Sequence, residues 1–161
     1  RNLATVGGSI YSRFGFSDVL TMFLALNASV ELYKGGVVPL AEYAQRPYDR
    51  DILVRVLVPK ENARFVYQSV RNSQTDFPVL TCAAAKLADG SIRAAIGARP
   101  GKAVLYTAAP EAGETAEEFA ARFAAEVKAD IKTESNLRGG AEYRRHLAGV
   151  LTKRAVCRLE G

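Results

Sequence analysis

Apolar positions recur every four residues at Phe119, Phe123, Val127 and Ile131, with Ala120 and Ala124 beside them. That spacing puts one apolar stripe on a helix. Thr115 and Glu118 stand three apart just ahead of it, the arrangement of a capping box, and mark where the helix starts. After Gly139 and Gly140 a second helical pattern runs over residues 141–159, with Tyr143, Leu147, Val150, Leu151, Ala155 and Leu159 as its apolar positions. Between residues 65 and 107 the period shortens. Residues 65–70, 79–87, 92–98 and 103–107 read as strands, the middle two joined as a hairpin at Asp89-Gly90. Residues 109–114 form a loop.

The first third is more broken. Residues 1–10 read as a short strand or extended segment interrupted by Gly7-Gly8. Ser17 is a candidate N-cap for a helix over 18–27. Residues 29–34 alternate and end at Gly35-Gly36, a strand and a turn. Residues 39–45 suit a short helix with Pro39 in its first turn. Residues 52–58 are rich in β-branched side chains and close at Pro59, which predicts another strand. The expected class is α+β, with a first lobe over 1–58 and a second lobe over 59–161 in which two C-terminal helices cover an antiparallel sheet.

Composition narrows the function classes. At 161 residues and 48% hydrophobic, the chain can bury a core of ordinary size. The net charge is +5, with its densest run at Arg138, Arg144, Arg145, Lys153, Arg154 and Arg158. On a helix such a run reads as a solvated face, and no spacing typical of a nucleic-acid module accompanies it. Cys82 and Cys157 stand apart in apolar surroundings, so they read as buried free thiols of a reducing compartment rather than metal ligands. No apolar run reaches the ~18–20 residues of a membrane span. The chain begins at Arg1 rather than methionine, as a processed, trimmed or engineered piece would, and the expected location is cytoplasmic.

Candidate chemistry is sparse. Gly7-Gly8 lets backbone approach a ligand, and successive N–H groups there can cradle a phosphate, with Thr5, Ser9 and Ser12 as added hydroxyl donors. The same residues also read as a plain glycine turn. Asp18 suits either a ribose hydroxyl or the positive end of a helix dipole. His146 has no nucleophile near it in sequence, and Glu117, Glu118 and Glu126 fit a solvated helix face.

The order of segments carries more. Residues 1–10 resemble the R-N-x-A-T-V-G-G-N-I signature of the flavoprotein subunits of molybdenum hydroxylases, the group of xanthine dehydrogenase and carbon monoxide dehydrogenase. Asp18 falls on the acid of that family's S-D-L segment. Residues 52–59 resemble its strand ending in proline. Residues 67–84, with Tyr67, Arg71, Asp76, Phe77 and Pro78, resemble its Y-x-x-x-R…D-x-P-x-L segment, and residues 94–98 the strand after it. Residues 141–151 resemble its E-Y-R-R-H-L-A-G-V-L helix.

The resemblance implies the second lobe of a two-lobe FAD-binding domain followed by the family's C-terminal domain. It implies FAD, with Thr5, Gly7, Gly8 and Ser9 at the diphosphate turn, Ser12 nearby, Asp18 on the adenosine ribose and Leu53 packed near the flavin. Implied partners are a molybdopterin-binding large subunit and a small subunit with [2Fe–2S] clusters, electrons passing through FAD to an acceptor such as NAD. Two departures accompany it. Gln68 stands where xanthine dehydrogenases often have a lysine that contacts FAD, and the family's N-terminal lobe, with its own glycine-rich loop, would precede residue 1. The alternative is a subunit-docking module that binds no FAD; binding of nucleic acid through the last helix is a third.

Overall fold

A computed structural model describes residues 3–60 and 64–161. Two antiparallel sheets form the frame. β1 (Ser29–Leu32), β2 (Gly36–Pro39) and β3 (Leu53–Leu57) make a small sheet in the order β2-β1-β3. β4 (Arg64–Val70), β5 (Leu80–Lys86), β6 (Ile92–Gly97) and β7 (Val104–Ala108) make a larger meander in chain order, with Cys82 opposite Ile96 and Ala83 opposite Ala95. α1 (Val6–Tyr11) and α2 (Asp18–Ala25) precede the small sheet and α3 (Leu40–Tyr43) follows β2; α4 (Ala116–Asp130) and α5 (Ala141–Glu160) end the chain. The α+β class expected from the sequence is the one observed.

The larger sheet is buried on both faces. Cys82 and Ala84 of β5, with Ile92, Ala94 and Ile96 of β6, pack against Phe119, Phe123 and Val127 of α4 and Leu147, Leu151 and Val156 of α5. Alternate positions Ala83, Ala85 and Ala95 turn the other way and join Ile10, Leu20, Leu24, Val30 and Leu40. Period-two alternation thus feeds two cores from the same strands. The face toward α2 carries alanines, so that helix comes in close. At Gly97 the approach is complete: a Cβ there would stand 2.5 Å from the hydroxyl oxygens of both Thr21 and Thr81.

Several expectations change. Residues 6–11 are helical rather than extended. Thr5, in extended backbone, accepts from the Gly8 N–H with its hydroxyl and starts the helix, and burial of Ile10 holds it down. Arg1 and Asn2 lie outside the described residues. Gly35-Gly36 is a turn as expected, with Gly36 at φ +66, but the chain then returns as β2, a strand the pattern does not predict, paired on β1.

In α5, Tyr143 is half exposed while Arg144 is fully buried. The Arg144 guanidinium donates to the carbonyls of Val79 (2.9 Å), Glu134 (2.6 Å) and Gly139 (2.5 Å) and to Asn136 Oδ1 (2.5 Å). Burial and then the charge of Arg138 lower its pKa from the ordinary value. Arg144 is therefore a clasp for residues 134–139, not part of a solvated basic face. Cys157 is exposed, because it falls between the buried positions Val156 and Leu159, whereas Cys82 is buried. Burial pushes the Cys82 thiol up to about 12.

These features set two outcomes. At pH 8.5 a disulfide-exchange reagent will titrate Cys157 alone in the native chain and Cys82 only after unfolding; rapid loss of both would contradict the buried assignment. Ala95→Leu, which adds bulk where α2 packs closely on the sheet, will lower unfolding free energy by about 1–3 kcal/mol in urea titrations, whereas a neutral result would mean the alanine face is not close-packed.

Candidate cofactor cleft

The N-terminal ends of α1 and α2 and the β4–β5 connection enclose a cavity of about 600 Å³. Thr5, Gly8, Ser9, Ser12 and Asp18 line it, with Phe14, Phe16, Arg71 and Phe77 as further walls. The first-turn amides of Val6 and Gly7 have no acceptor within α1, as in any helix start. Nothing stands within 4 Å of where a Gly7 Cβ would be, so the backbone is open to approach there.

Asp18 is the best-anchored group. Ser17 caps α2 by accepting from the Leu20 N–H, which brings Asp18 into the first turn. Its Oδ1 accepts from the Tyr67 hydroxyl at 2.7 Å and its Oδ2 from Arg71 Nη2 at 2.6 Å. Burial first, and then the hydrogen bond to Asp18, push the Tyr67 phenol well above its ordinary value, so it stays a donor. Arg71 also donates to the Asp76 carbonyl at 2.6 Å, and the Asp76 carboxylate takes a fork from Arg138, with Nη2 at 2.7 Å. That fork holds the Asp76 carboxyl below the usual range.

Sequence reasoning reaches Asp18 but not the donors that hold it. Tyr67 and Arg71 lie four apart at an even spacing along an extended segment, which puts them on one side, and this is the available signal. The aromatic wall has no such signal. Phe14 and Phe16 stack at 5.0 Å between centroids, and Phe16 meets Phe77 at 4.6 Å with the rings tilted by 56°.

The other sequence candidates fall elsewhere. Gly7 is in the first turn of α1 but off the cavity lining, and Leu53 lies in β3, packed against the core that holds Leu20, Val30 and Ala83. Gln68 donates to the Leu151 carbonyl at 3.2 Å, so its amide is occupied against α5. His146 is exposed on α5. Glu118 completes the capping box and Glu126 pairs with Arg122 at 3.0 Å. Among the described residues there is no cluster of His, Cys, Asp and Glu that could hold a metal, and no helix is long and apolar enough to cross a membrane.

The chain resembles known proteins along nearly its whole length. Residues 1–61 match the FAD binding domain in molybdopterin dehydrogenase, and residues 65–159 match the CO dehydrogenase flavoprotein C-terminal domain. The uncharacterized protein YgfM of Escherichia coli (strain K12) is 27% identical over 151 residues, which cover 94% of this chain and 56% of that protein. Carbon monoxide dehydrogenase from Hydrogenophaga pseudoflava superposes with a TM-score of 0.82 at 24% identity, over 99% of this chain and 61% of its own. Quinoline 2-oxidoreductase from Pseudomonas putida 86 gives 0.79 at 20% identity, over 99% and 61%. The chain thus spans between half and two thirds of the relatives it matches. With its larger part inside the second of those matches and its N-terminal turn inside the first, the chain belongs to the CO dehydrogenase flavoprotein family, the FAD-binding subunits of the molybdenum hydroxylases.

Proposed function

We propose that this chain supplies one wall of an FAD cleft in the flavoprotein component of a molybdenum-dependent oxidoreductase. In this reading electrons arrive from [2Fe–2S] clusters of a partner and leave to an acceptor such as NAD, while substrate oxidation takes place on a molybdopterin-binding subunit. The observation that carries it is the convergence of Thr5, Gly8, Ser9, Ser12 and Asp18 on one cavity. The residues fit such a group: the hydroxyls of Thr5, Ser9 and Ser12 suit phosphate oxygens, and a carboxylate suits a ribose diol.

FAD, when bound, supplies the two-electron chemistry, and the protein supplies position and environment. Thr5 Oγ1 already accepts from Gly8 N–H at 3.0 Å, which leaves its own proton to donate to a phosphate oxygen. Asp18 uses one lone pair on each oxygen for Tyr67 and Arg71, and a carboxylate has about four such sites, so a ribose hydroxyl can still donate to it. Because both donors are fixed, the carboxylate needs no reorganisation to receive that hydroxyl. Phe14, Phe16 and Phe77 give the cleft an apolar side. The opposite wall of the cleft is, in this proposal, a glycine-rich lobe of the kind the resemblance implies.

The test is direct. FAD titrated into the purified chain will be taken up saturably, seen as induced circular dichroism in the flavin bands. Thr5→Val and Asp18→Asn will each weaken uptake about 10-fold, the loss expected for one hydrogen bond to a charged group. Absence of saturable uptake by the unaltered chain would show that this wall does not hold FAD by itself and favour a docking module that carries no flavin.

A further inference from the structure

α4 presents two different faces to solvent. One is a ladder of ion pairs: Arg122 reaches Glu114 at 2.8 Å and Glu126 at 3.0 Å, and Glu118 is used in the capping box. Such a face is complete in water. The other is a stripe of Glu117, Ala121, Ala125 and Lys128, all exposed. Neither Glu117 nor Lys128 has an ion-pair partner among the described residues. At 3.6 residues per turn the two charges stand about 16 Å apart along the axis and only about 20° apart around it. They therefore close the two ends of one alanine surface.

Beside this stripe α5 comes close. A Cβ on Gly149 would stand 3.3 Å from the Lys128 Cβ and 3.4 Å from the Ala124 carbonyl oxygen. The approach leaves a shallow groove of about 190 Å³, floored by Ala124, Gly149 and Val150 and rimmed by Lys128, His146 and Lys153. Short side chains on the floor let a further helix come near. The charges select that helix. In an antiparallel pair of α4 helices, Glu117 of each copy meets Lys128 of the other, and Ala121 of each meets Ala125. Acid, alanine, alanine and base in that order are complementary to themselves, which is what a two-fold contact requires. A uniformly acidic partner would set its charge against Glu117. A nucleic-acid strand would do the same, and the stripe has no aromatic ring on which a base could stack.

We propose that the outer face of α4, with the α4–α5 groove, is a self-association surface whose occupant is a second copy of this chain. The two α4 helices cross antiparallel about a two-fold axis near the middle of the alanine stripe. Each copy places its Glu117 at the end of the other's groove, between the cations Lys128 and Lys153. α4 and α5 cover one face of the larger sheet and α2 packs on the other. The contact therefore lies on the far layer from the cleft at Asp18, and the proposal does not rest on the flavin reading.

Sedimentation velocity of the full chain over a hundredfold range of concentration will show a reversible monomer–dimer equilibrium. Glu117→Lys and Lys128→Glu each turn two attractions into two repulsions, and each will raise the dimer dissociation constant about 10-fold. The double variant exchanges the two signs and will return the constant to within about 3-fold of the unaltered chain. Glu126→Lys makes the same change in net charge as Glu117→Lys, but on the ion-pair face, and will leave the dimer unchanged. A chain that stays monomeric throughout, a dimer weakened equally by Glu126→Lys, or a double variant as weak as the single ones overturns the proposal. So does salt-sensitive binding of DNA that Lys128→Glu abolishes, which would give the face to nucleic acid.

Discussion

The constraint on which the rest depends is the close approach of α2 to the larger sheet. Ala83, Ala85 and Ala95 present a face of methyl groups, and Gly97 presents none, so the helix settles against β5 and β6. On the opposite face Cys82, Ala84 and Ala94, with the isoleucines Ile92 and Ile96, meet α4 and α5. The sheet is thus a middle layer between helices from the two ends of the chain. Small side chains on one side trade buried apolar area for proximity, and proximity is what carries the N-terminus of α2 to the β4 strand.

That placement turns a helix start into a site. Asp18 would be an ordinary first-turn acid on an isolated helix, stabilised weakly by the dipole. Against the sheet it meets Tyr67 and Arg71, and the three become one polar link between α2 and the β4 end of the sheet, partly shielded from solvent. The link then extends through the Asp76 carbonyl and carboxylate to Arg138. A structural role and a ligand role for Asp18 are compatible, since the donors that anchor it leave acceptor capacity toward the cavity. Seams between packed bodies are where ligand sites form, because two rigid surfaces can be held a fixed distance apart.

What the sequence discloses follows the strength of local signals. α4 is legible because its apolar stripe, its capping box and its polar face agree. The β5–β6 hairpin is legible from Asp89-Gly90, where Asp89 accepts from Ser91 and Gly90 takes φ +83. α1 is not, because two glycines lower helix propensity and its six residues are too few for a period to show. Arg144 misleads for a different reason: charge predicts exposure only when no set of buried acceptors exists, and carbonyls brought together by the fold supply that set. In the cleft, the hydroxyls and Asp18 that the resemblance singles out meet at one cavity. The aromatic wall joins Phe16 to Phe77 across the length of the first lobe, which no local pattern reports.

Arg144 also explains why that wall can be rigid. A buried guanidinium without a carboxylate partner is stable only if nearly all its donors are used, and here they are used on the loop before α5. The loop in turn fixes Arg138, which meets Asp76 on the β4–β5 connection, and Phe77 follows at the next position. Phe16 is positioned from the other side, by a loop whose Gly15 carbonyl receives Ala98 N–H. The two rings therefore belong to segments fixed independently, one through a buried cation and one through a backbone seam. Their contact at 4.6 Å is a consequence of both anchors.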